Sequence, residues 1–386
     1  MADTYGVGFY GFGFIGKVHA YGYRTLPLYF DPMPLRARMV GVCTSRQETA
    51  ERARETLDFE FCTTDYHDLL ARDDIQIVHC CTPNNLHHDF LVDAVRAGKH
   101  IYCDKPLALN AEEAVDLARV MRQTGYSGKH QMTFQYRFLP ATLRARQLIE
   151  DGFLGRVFGY RAQYLHSGYI NPDRPISWRL DAGKSGAGAL GDLGSHILDL
   201  VYCLLGEYSE LGADLETFIK ERPLKDGSGR RPVEVDDIAV INTRMADGSI
   251  GVVEAWRLAT GAEDELRFEI HGQNGALRFN LMDPNWLEAY DARDPDKPIG
   301  GTRGWKRIGT VQRYPAPGGF PAPKLSVGWI RSHVQCLYNF LRCIAEDDAP
   351  RPSMEDGAYI QLVMDTAQQS DRQKKRLKVP TLDDAL

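Results

Sequence analysis

The fold class follows from one stretch near the start of the chain, Tyr5-Gly6-Val7-Gly8-Phe9-Tyr10-Gly11-Phe12-Gly13-Phe14-Ile15-Gly16. Its first half has the pattern of a short strand, and its second half is a G-x-G-x-x-G that opens a helix predicted from Ile15 to Leu26. In such a loop one glycine permits the tight turn, one lets the backbone approach a pyrophosphate, and one allows close contact between helix and strand. The unpaired N–H groups of a helix N-terminus also favour an anion there. The stretch predicts a dinucleotide site at Gly11, Phe12, Gly13, Phe14, Ile15 and Gly16, with a glycine-rich turn lacking any ligand as the alternative.

The next hundred residues alternate between strand and helix patterns. Strands are predicted at Arg38–Cys43, Ile75–Cys81 and His100–Cys103, and helices at Glu48–Leu57, Leu86–Ala97 and Ala111–Gln123, the last begun by a capping box of Asn110 and Glu113. The proline-rich stretch Pro27–Pro34 is predicted to be an ordered loop. Repeated alternation with right-handed crossovers predicts an α/β Rossmann domain over residues 1–130, with a doubly wound parallel sheet.

After residue 130 consecutive strands replace the alternation. Strands are predicted at Val157–His166, Leu211–Ile219, Asp237–Met245, Ile250–Leu258 and Leu266–Leu281, the last broken by a hairpin turn at Asn274-Gly275. Helices are predicted at Ala141–Glu150, Asp192–Leu205, Val327–Ala345 and Met354–Gln368. The pattern predicts an α+β domain over residues 131–386 with a large, mostly antiparallel open sheet. We expect the C-terminal helix to pack on the first domain and the open sheet face to form a homo-oligomer, a dimer or a tetramer.

Composition excludes several classes of protein. The 386 residues carry a formal net charge of −6, so no global field draws the chain to nucleic acid or an anionic membrane. No apolar stretch approaches the ~18 residues of a membrane span, and Met1-Ala2-Asp3-Thr4 does not begin a secretory signal. Eight cysteines without a Cys-x-x-Cys pair argue against a disulfide framework or a structural zinc site. We expect a soluble cytoplasmic protein that acts on a small molecule and needs no metal.

The end of the second predicted strand bears on which dinucleotide is bound. NAD enzymes usually carry a carboxylate there for the ribose 2′-hydroxyl, whereas this chain reads Thr44-Ser45-Arg46 with no acid before Glu48. Because Arg46 is suited to a 2′-phosphate, the pattern favours NADP slightly over NAD. The alternative is that Ser45 caps the next helix and Glu48 completes a capping box, and both interpretations can hold together.

Two further motifs carry groups suited to catalysis. Asp104-Lys105-Pro106 follows a strand, at the sheet edge where ligands bind in open α/β folds. Asp192 and His196 are four residues apart and share a helix face that Asp199 continues. The alternatives are a solvated lysine at a strand end and a structural histidine behind an N-cap aspartate.

Together these motifs resemble the glucose–fructose oxidoreductase, inositol dehydrogenase and MocA-like family. The order G-x-G-x-x-G, Asp-Lys-Pro and Gly-Asp-x-x-x-His-x-x-Asp is specific, and the resemblance covers essentially the whole chain. Asp104 departs from the glutamate usual in the family. The resemblance implies an NAD(P) site that includes Thr82, Pro83, Asn84, His87, Asp104 and Lys105.

Within that family the chain is most similar to a levoglucosan-dehydrogenase-like branch. The similar segments are Leu26–Pro34, Gln135-Tyr136-Arg137, Ile176-Ser177-Trp178-Arg179 and Ser185–Asp192. This similarity implies hydride transfer between nicotinamide and a ring secondary hydroxyl of a sugar, glycoside or polyol, such as carbon 3 of a pyranose.

Oxidising a carbinol removes a proton together with the hydride, so the site requires a base with a pKa near neutrality. His196 is the expected proton acceptor, Asp192 its orienting partner, and Lys105, aimed by Asp104, the group that stabilises alkoxide charge. For sugar recognition we expect aromatic faces and polar tips from Tyr136, Arg137, Tyr164, His166, Trp178 and Arg179.

Two other functions fit the same motifs. An enzyme that keeps NAD tightly bound can cleave a glycosidic bond through transient oxidation and elimination. A non-catalytic dinucleotide-binding regulator is also conceivable, although intact Lys105 and His196 argue against it.

Overall fold

A computed structural model describes residues 3–326 and 328–386 of the chain. Met1 and Ala2, which bear on the predicted absence of a secretory signal, lie outside the described residues. So does Val327, the predicted first residue of a late helix. The described residues form two large sheets, one in each half of the chain, and a small two-stranded hairpin; a cleft is lined by residues of both halves.

The first sheet is parallel, has six strands and runs in the order β3-β2-β1-β4-β5-β6. Its strands are β1 (Thr4–Tyr10), β2 (Arg36–Cys43), β3 (Phe61–Thr63), β4 (Ile77–Cys80), β5 (His100–Cys103) and β6 (His130–Met132). The accompanying helices are α1 (Phe14–Tyr29), α2 (Gln47–Leu57), α3 (His67–Leu70), α4 (His87–Arg96) and α5 (Ala111–Thr124). The predicted doubly wound sheet is confirmed. Strand order reverses between β1 and β4, and ligands bind beside such a switch point.

Local signals explain most boundaries in this half. All four residues of β4 are buried, as expected for a strand covered on both faces. Asn110 caps α5 by accepting a hydrogen bond from the N–H of Glu113 at 2.9 Å, which is half of the predicted capping box; the Glu113 carboxylate accepts from the N–H of Leu109 at 3.0 Å, not from that of Asn110. The predicted loop from Pro27 is wrong in its first residues, because α1 continues through Pro27 to Tyr29. A proline so near the end of a helix removes one hydrogen bond of the last turn without breaking the turns before it.

The second sheet has nine strands in the order β16-β15-β14-β13-β7-β12-β11-β8-β17. They are β7 (Val157–Leu165), β8 (Tyr208–Glu216), β11 (Ile238–Met245), β12 (Ile250–Trp256), β13 (Glu265–Gly272), β14 (Gly275–Asn280), β15 (Trp286–Asp291), β16 (Trp305–Gly309) and β17 (Leu377–Lys378), while β9 (Glu221–Pro223) and β10 (Arg230–Pro232) form a separate hairpin. Strands β7 and β12 pair in parallel and the other neighbours are antiparallel, which confirms the predicted sheet. The hairpin at Asn274-Gly275 is also confirmed.

The helices of the second half are α6 (Pro140–Glu150), α7 (Ala182–Ser185), α8 (Ser195–Leu205), α9 (Trp329–Glu346), α10 (Met354–Gln373) and α11 (Leu382–Ala385). Helix α9 packs closely on α1: a methyl group added at Gly22 would lie 2.8 Å from Leu337. Leu362 of α10 packs with Ala111 and Val115 of α5. Helices α9 and α10 therefore join the two halves.

Among the described residues, one helical stretch, Ala182–Leu205, is long and apolar enough to cross a membrane by length and composition alone. Within its most apolar window, 78% is buried inside the protein. A core helix passes the same test, and Ile197 and Leu198 of α8 are fully buried in the main hydrophobic core.

Candidate active site

A single cleft gathers the predicted motifs from both halves of the chain. It has a volume of about 900 Å³ and lies at the carboxyl ends of β1, β2, β4 and β5. Its first-domain lining includes Gly11 to Ile15, Thr44, Ser45, Thr82 to Asn84, Asp104 and Lys105. Its second-domain lining includes Tyr136, Tyr164, His166, Trp178, Arg179, Asp192, His196, Arg257, Trp329 and His333. This volume is large enough to hold a dinucleotide together with a small molecule at one end of it.

The three motif glycines have different surroundings. Gly11 has φ +90°, and a Cβ there would lie 2.6 Å from the carbonyl oxygen of Cys81. A Cβ on Gly16 would lie 2.7 Å from the carbonyl oxygen of Gly11, so this glycine permits the close contact between helix and strand. By contrast, no described atom lies within 4 Å of a Cβ built on Gly13, which is the N-cap of α1. The loop therefore leaves open space in front of the unpaired N–H groups of α1, where a pyrophosphate fits.

At the far end of the cleft, the structure does not bear out the predicted contact of Arg46 with the dinucleotide. Arg46 is the exposed N-cap of α2, and the cleft is lined instead by Thr44, Ser45 and one face of that helix. That face consists of Thr49, Arg52, Ala53 and Thr56, whose spacing in the sequence is the missed signal. The predicted capping box of Ser45 and Glu48 is also wrong, because α2 begins at Gln47, later than that box requires.

Lys105 and Asp192 meet across the cleft. The Lys105 amine donates to the backbone oxygen of Asp192 at 2.6 Å and to its Oδ1 at 3.1 Å. Arg257 lies 3.3 Å from the other carboxylate oxygen, and Arg179 lies 4.0 Å from Oδ1. Burial alone would raise the pKa of Asp192, but the charges of Lys105, Arg257 and Arg179 outweigh it and hold the pKa well below its usual range. Asp192 is therefore a fixed anion among three cations.

Asp104 lines the cleft as predicted but does not hold the Lys105 amine. Its side chain lines the cleft, and burial raises its pKa against the opposing charge of Lys105. The hydrogen bonds that aim the lysine come instead from Asp192, in the other half of the chain. The sequence therefore identified the lysine but not the carboxylate that holds it.

His196 lies in the first turn of α8, directly after one turn of π-helix at Leu190–Gly194. Its ring packs against Tyr136 at 5.0 Å and Tyr164 at 5.9 Å between centroids, and Phe134 closes the cage at 6.1 Å. Burial, reinforced by the charge of Lys105, lowers the pKa of His196 well below its usual value. The imidazole is therefore neutral and held by aromatic rings, and its pKa lies below the near-neutral value expected from the sequence. The predicted orienting role of Asp192 is not seen, because no hydrogen bond joins it to His196 within the described chain.

Arg137 and Asp199 are not among the residues that line the cleft, and they pair with each other. The guanidinium donates to the two oxygens of Asp199 at 2.8 and 2.5 Å, and both side chains are buried. Burial raises the pKa of Asp199 to about 6, against the opposing charge of Arg137. The predicted role of Arg137 in sugar binding is wrong, because the buried carboxylate one turn beyond His196 takes up its guanidinium.

His87 is also displaced from its predicted role. It is fully buried, and its ring nitrogens lie 3.0 Å from the Thr82 oxygen and 3.3 Å from the Leu107 oxygen. It therefore braces the loop Thr82-Pro83-Asn84, which does line the cleft, rather than contacting a ligand itself.

Two buried groups contain residue types that ligate metals. They are His19, His79 and Cys81, and Cys80, His87 and Cys103, each with its ligand atoms within 4.8 Å of one another. In the first group the two histidines approach each other at 3.1 Å and Tyr23 contacts His79 at 2.9 Å. Internal hydrogen bonding already uses these nitrogens.

Sequence patterns missed four residues at or beside the site: Arg257, Asp264, Trp329 and His333. His333 is 4% exposed, and neither ring nitrogen has a hydrogen-bond partner in the described part of the chain. Arg257 directly follows β12, Asp264 directly precedes β13, and Trp329 and His333 lie in the first two turns of α9. None of the motifs predicted from the sequence includes any of the four.

Comparison with known proteins identifies a matching family and several similar proteins. Residues 5–127 match the family described as an oxidoreductase family with an NAD-binding Rossmann fold, and residues 142–278 match the GFO/IDH/MocA C-terminal domain. A levoglucosan dehydrogenase from Pseudarthrobacter phenanthrenivorans is 33% identical over 97% of this chain and 98% of its own length. A glucose-6-phosphate 3-dehydrogenase from Bacillus subtilis is 24% identical over 97% and 98%. A solved levoglucosan dehydrogenase in complex with NADH and levoglucosan has TM-score 0.92 and 34% identity, covering 98% of this chain and 100% of its own.

Proposed function

Since this chain belongs to the glucose–fructose oxidoreductase, inositol dehydrogenase and MocA-like family of NAD-binding oxidoreductases, we propose that it oxidises a ring secondary hydroxyl of a neutral sugar. One observation carries the proposal: the Lys105 amine and the His196 imidazole line one cleft, with Asp192 holding the amine. A sugar hydroxyl between an amine and a neutral imidazole loses its proton readily as hydride leaves the carbon.

The residues of the cleft fit a nicotinamide dinucleotide. The open space before Gly13 and the start of α1 accept the pyrophosphate. The buried ring nitrogens of His333, which have no hydrogen-bond partner among the described residues, offer hydrogen bonds farther along the cleft. When bound, the dinucleotide supplies the hydride acceptor, and the chain supplies position and charge.

His196 and Lys105 divide the proton chemistry. The imidazole is kept neutral by its low pKa, so it can accept the hydroxyl proton at neutral pH. The Lys105 amine, aimed by the two oxygens of Asp192, stabilises negative charge developing on the same hydroxyl oxygen. Arg179, stacked on Trp178 at 4.6 Å, lies at the wall where other hydroxyls of the ring bind.

We propose levoglucosan or a related pyranose as the substrate, oxidised at carbon 3. Similarity to a levoglucosan dehydrogenase over nearly the whole chain supports the sugar class. The name of the more distant glucose-6-phosphate 3-dehydrogenase supports the position.

A spectrophotometric screen tests this function. The protein is incubated with NAD or NADP and a panel of levoglucosan, D-glucose, D-xylose and myo-inositol, and absorbance of the reduced nicotinamide is followed. We expect one reduced nicotinamide per ketone formed with at least one pyranose. The absence of reduced nicotinamide with every member would contradict the proposal.

Product analysis separates the proposal from its alternative. An enzyme that retains NAD and cleaves a glycosidic bond through transient oxidation would release free sugar without net reduced nicotinamide. A glycoside such as methyl β-D-glucopyranoside is therefore included, and we expect its glycosidic bond to stay intact.

For the cofactor we propose that the cleft accepts the 2′-phosphate of NADP as well as NAD. Support comes from the hydroxyls of Thr44, Ser45 and Thr49 and the guanidinium of Arg52 at that end of the cleft. We expect Arg52→Gln to raise the KM for NADP about tenfold or more, through loss of a charged hydrogen bond. The KM for NAD should change little, and Arg46→Gln, on the exposed N-cap, is the matched control. Equal effects of Arg52→Gln on both cofactors would refute the assignment.

A further inference from the structure

A chain of hydrogen bonds runs behind the sugar end of the cleft to Asp264. The Trp329 N–H donates to the Tyr136 hydroxyl at 3.0 Å, and the Tyr136 and Tyr164 hydroxyls lie 2.6 Å apart. Tyr164 in turn donates to Asp264 Oδ1 at 2.6 Å, and His166 Nε2 lies 2.9 Å from the same oxygen. The chain joins α9, the start of the second domain, β7 and the loop before β13.

The carboxylate fixes the direction of every bond in this chain. A carboxylate only accepts, so Tyr164 commits its single proton to Asp264. The oxygen of Tyr164 can then only accept from Tyr136, and Tyr136 commits its own proton in turn. His166 must likewise carry its proton on Nε2 to donate to Asp264. No proton of the two hydroxyls remains for a ligand.

Tyr136, Tyr164 and His166 all line the cleft, so this wall offers a ligand lone pairs only. Lys105, Arg179 and Arg257, whose side chains only donate, line the same cleft, and their charges surround the Asp192 carboxylate.

We propose that Asp264 is a positioning residue that sets specificity: it makes the wall of Tyr136, Tyr164 and His166 an acceptor of hydrogen bonds, so that the substrate must present a free hydroxyl there. The inference rests on the proposed function and narrows its substrate class to ring polyols that are unsubstituted on that face. An ether, a deoxy carbon or a fluorine at that position leaves the wall unpaired.

Fluorinated sugars test the direction of the hydrogen bonds. A C–F group accepts hydrogen bonds weakly and never donates them. Against a wall of donors it should therefore bind better than a deoxy carbon, whereas against a wall of acceptors it should bind no better than a deoxy carbon. We expect levoglucosan to exceed one of its 2- and 4-deoxyfluoro analogues in kcat/KM by about tenfold to a hundredfold, with the matching deoxy sugar as poor as the fluoro sugar. The inference would be overturned if the 2-deoxyfluoro and the 4-deoxyfluoro analogue both equalled levoglucosan in kcat/KM.

Replacing Asp264 tests its part in this preference. In Asp264→Ala the Tyr164 proton is released and can be donated to fluorine, so the ratio of kcat/KM for levoglucosan over the fluoro analogue should fall at least severalfold. The ratio compares two ligands on one protein, and a general loss of structure does not move it. Glu263→Ala, an exposed neighbour in the same loop, is the matched control and should keep the wild-type ratio. An unchanged ratio in Asp264→Ala would overturn the role of Asp264.

Two additions keep the outcomes distinct. Tyr164→Phe frees the Tyr136 proton and should lower the same ratio if Asp264→Ala does not fold. Binding of levoglucosan and its analogues to the NADH-loaded protein, measured by calorimetry, gives the ratio without turnover. Absence of reduced nicotinamide with every sugar defeats the proposed function, whereas equal binding of parent and both fluoro analogues defeats this inference.

Discussion

Lys105→Met removes the amine at the centre of the proposed site while keeping a side chain of similar length. The wild-type amine donates two hydrogen bonds to Asp192, at 2.6 and 3.1 Å, and its side chain is 13% exposed. The variant leaves the Asp192 carboxylate with Arg257 at 3.3 Å and Arg179 at 4.0 Å, so the anion keeps partners.

These distances separate the expected effect on rate from the effect on stability. Because Asp192 stays compensated, the free energy of unfolding should fall by only about 1–3 kcal/mol. The rate should suffer more, because the lost group acts on developing charge: we expect kcat to fall about 10²–10⁴-fold, equivalent to about 3–5 kcal/mol of barrier.

The assay follows reduced nicotinamide with the sugar found in the screen, and thermal unfolding is recorded on the same samples. Lys99→Met is the matched control. Lys99 lies just before β5, whereas Lys105 follows this strand, and the Lys99 amine donates to the Arg72 backbone oxygen at 2.7 Å. Lys99→Met should cost some stability and leave kcat within about twofold. Normal turnover of a folded Lys105→Met would refute the role assigned to the amine.

Three further predictions concern other parts of the site. Burial and the charge of Lys105 lower the pKa of His196, so the imidazole stays neutral to below pH 6.5. The acid limb of the pH profile of kcat/KM should therefore have its midpoint below pH 6.5. An acid limb with its midpoint at or above pH 6.5 that vanishes in His196→Gln would contradict this. Arg137→Met should cost about 3–5 kcal/mol of unfolding free energy by stranding the buried Asp199 charge, and Arg137→Met with Asp199→Leu should be more stable than the single variant, as denaturant unfolding would show. Gly13→Ala should unfold like wild type yet bind NADH at least tenfold more weakly by calorimetry, whereas Gly16→Ala should lose stability because its Cβ meets a backbone oxygen 2.7 Å away.

Sequence patterns predicted the architecture well because its signals are local. The glycine loop, the buried run of β4 and the Asn110 cap each act within a few residues, and the structure reproduces them. The failures are also local in origin: Pro27 lies in the last turn of a helix that tolerates it, and Ser45 lies one residue before the true N-cap.

The site was harder to predict because its contacts are long-range. The sequence identified Lys105, Asp192 and His196, but the partner of Lys105 is 87 residues away, not its neighbour Asp104. Arg137 was assigned to the sugar because nothing in the pattern shows a buried Asp199 within reach. Asp264 contacts Tyr164 from 100 residues away and belongs to no motif.

A crystal structure with NADH and levoglucosan would test the central claim most directly, through two distances to one atom. We expect the Lys105 Nζ and a ring nitrogen of His196 both to lie within about 3.2 Å of the same ring hydroxyl, whose carbon faces the nicotinamide. A sugar that touches only one of these two groups, or a nicotinamide bound away from both, would contradict it.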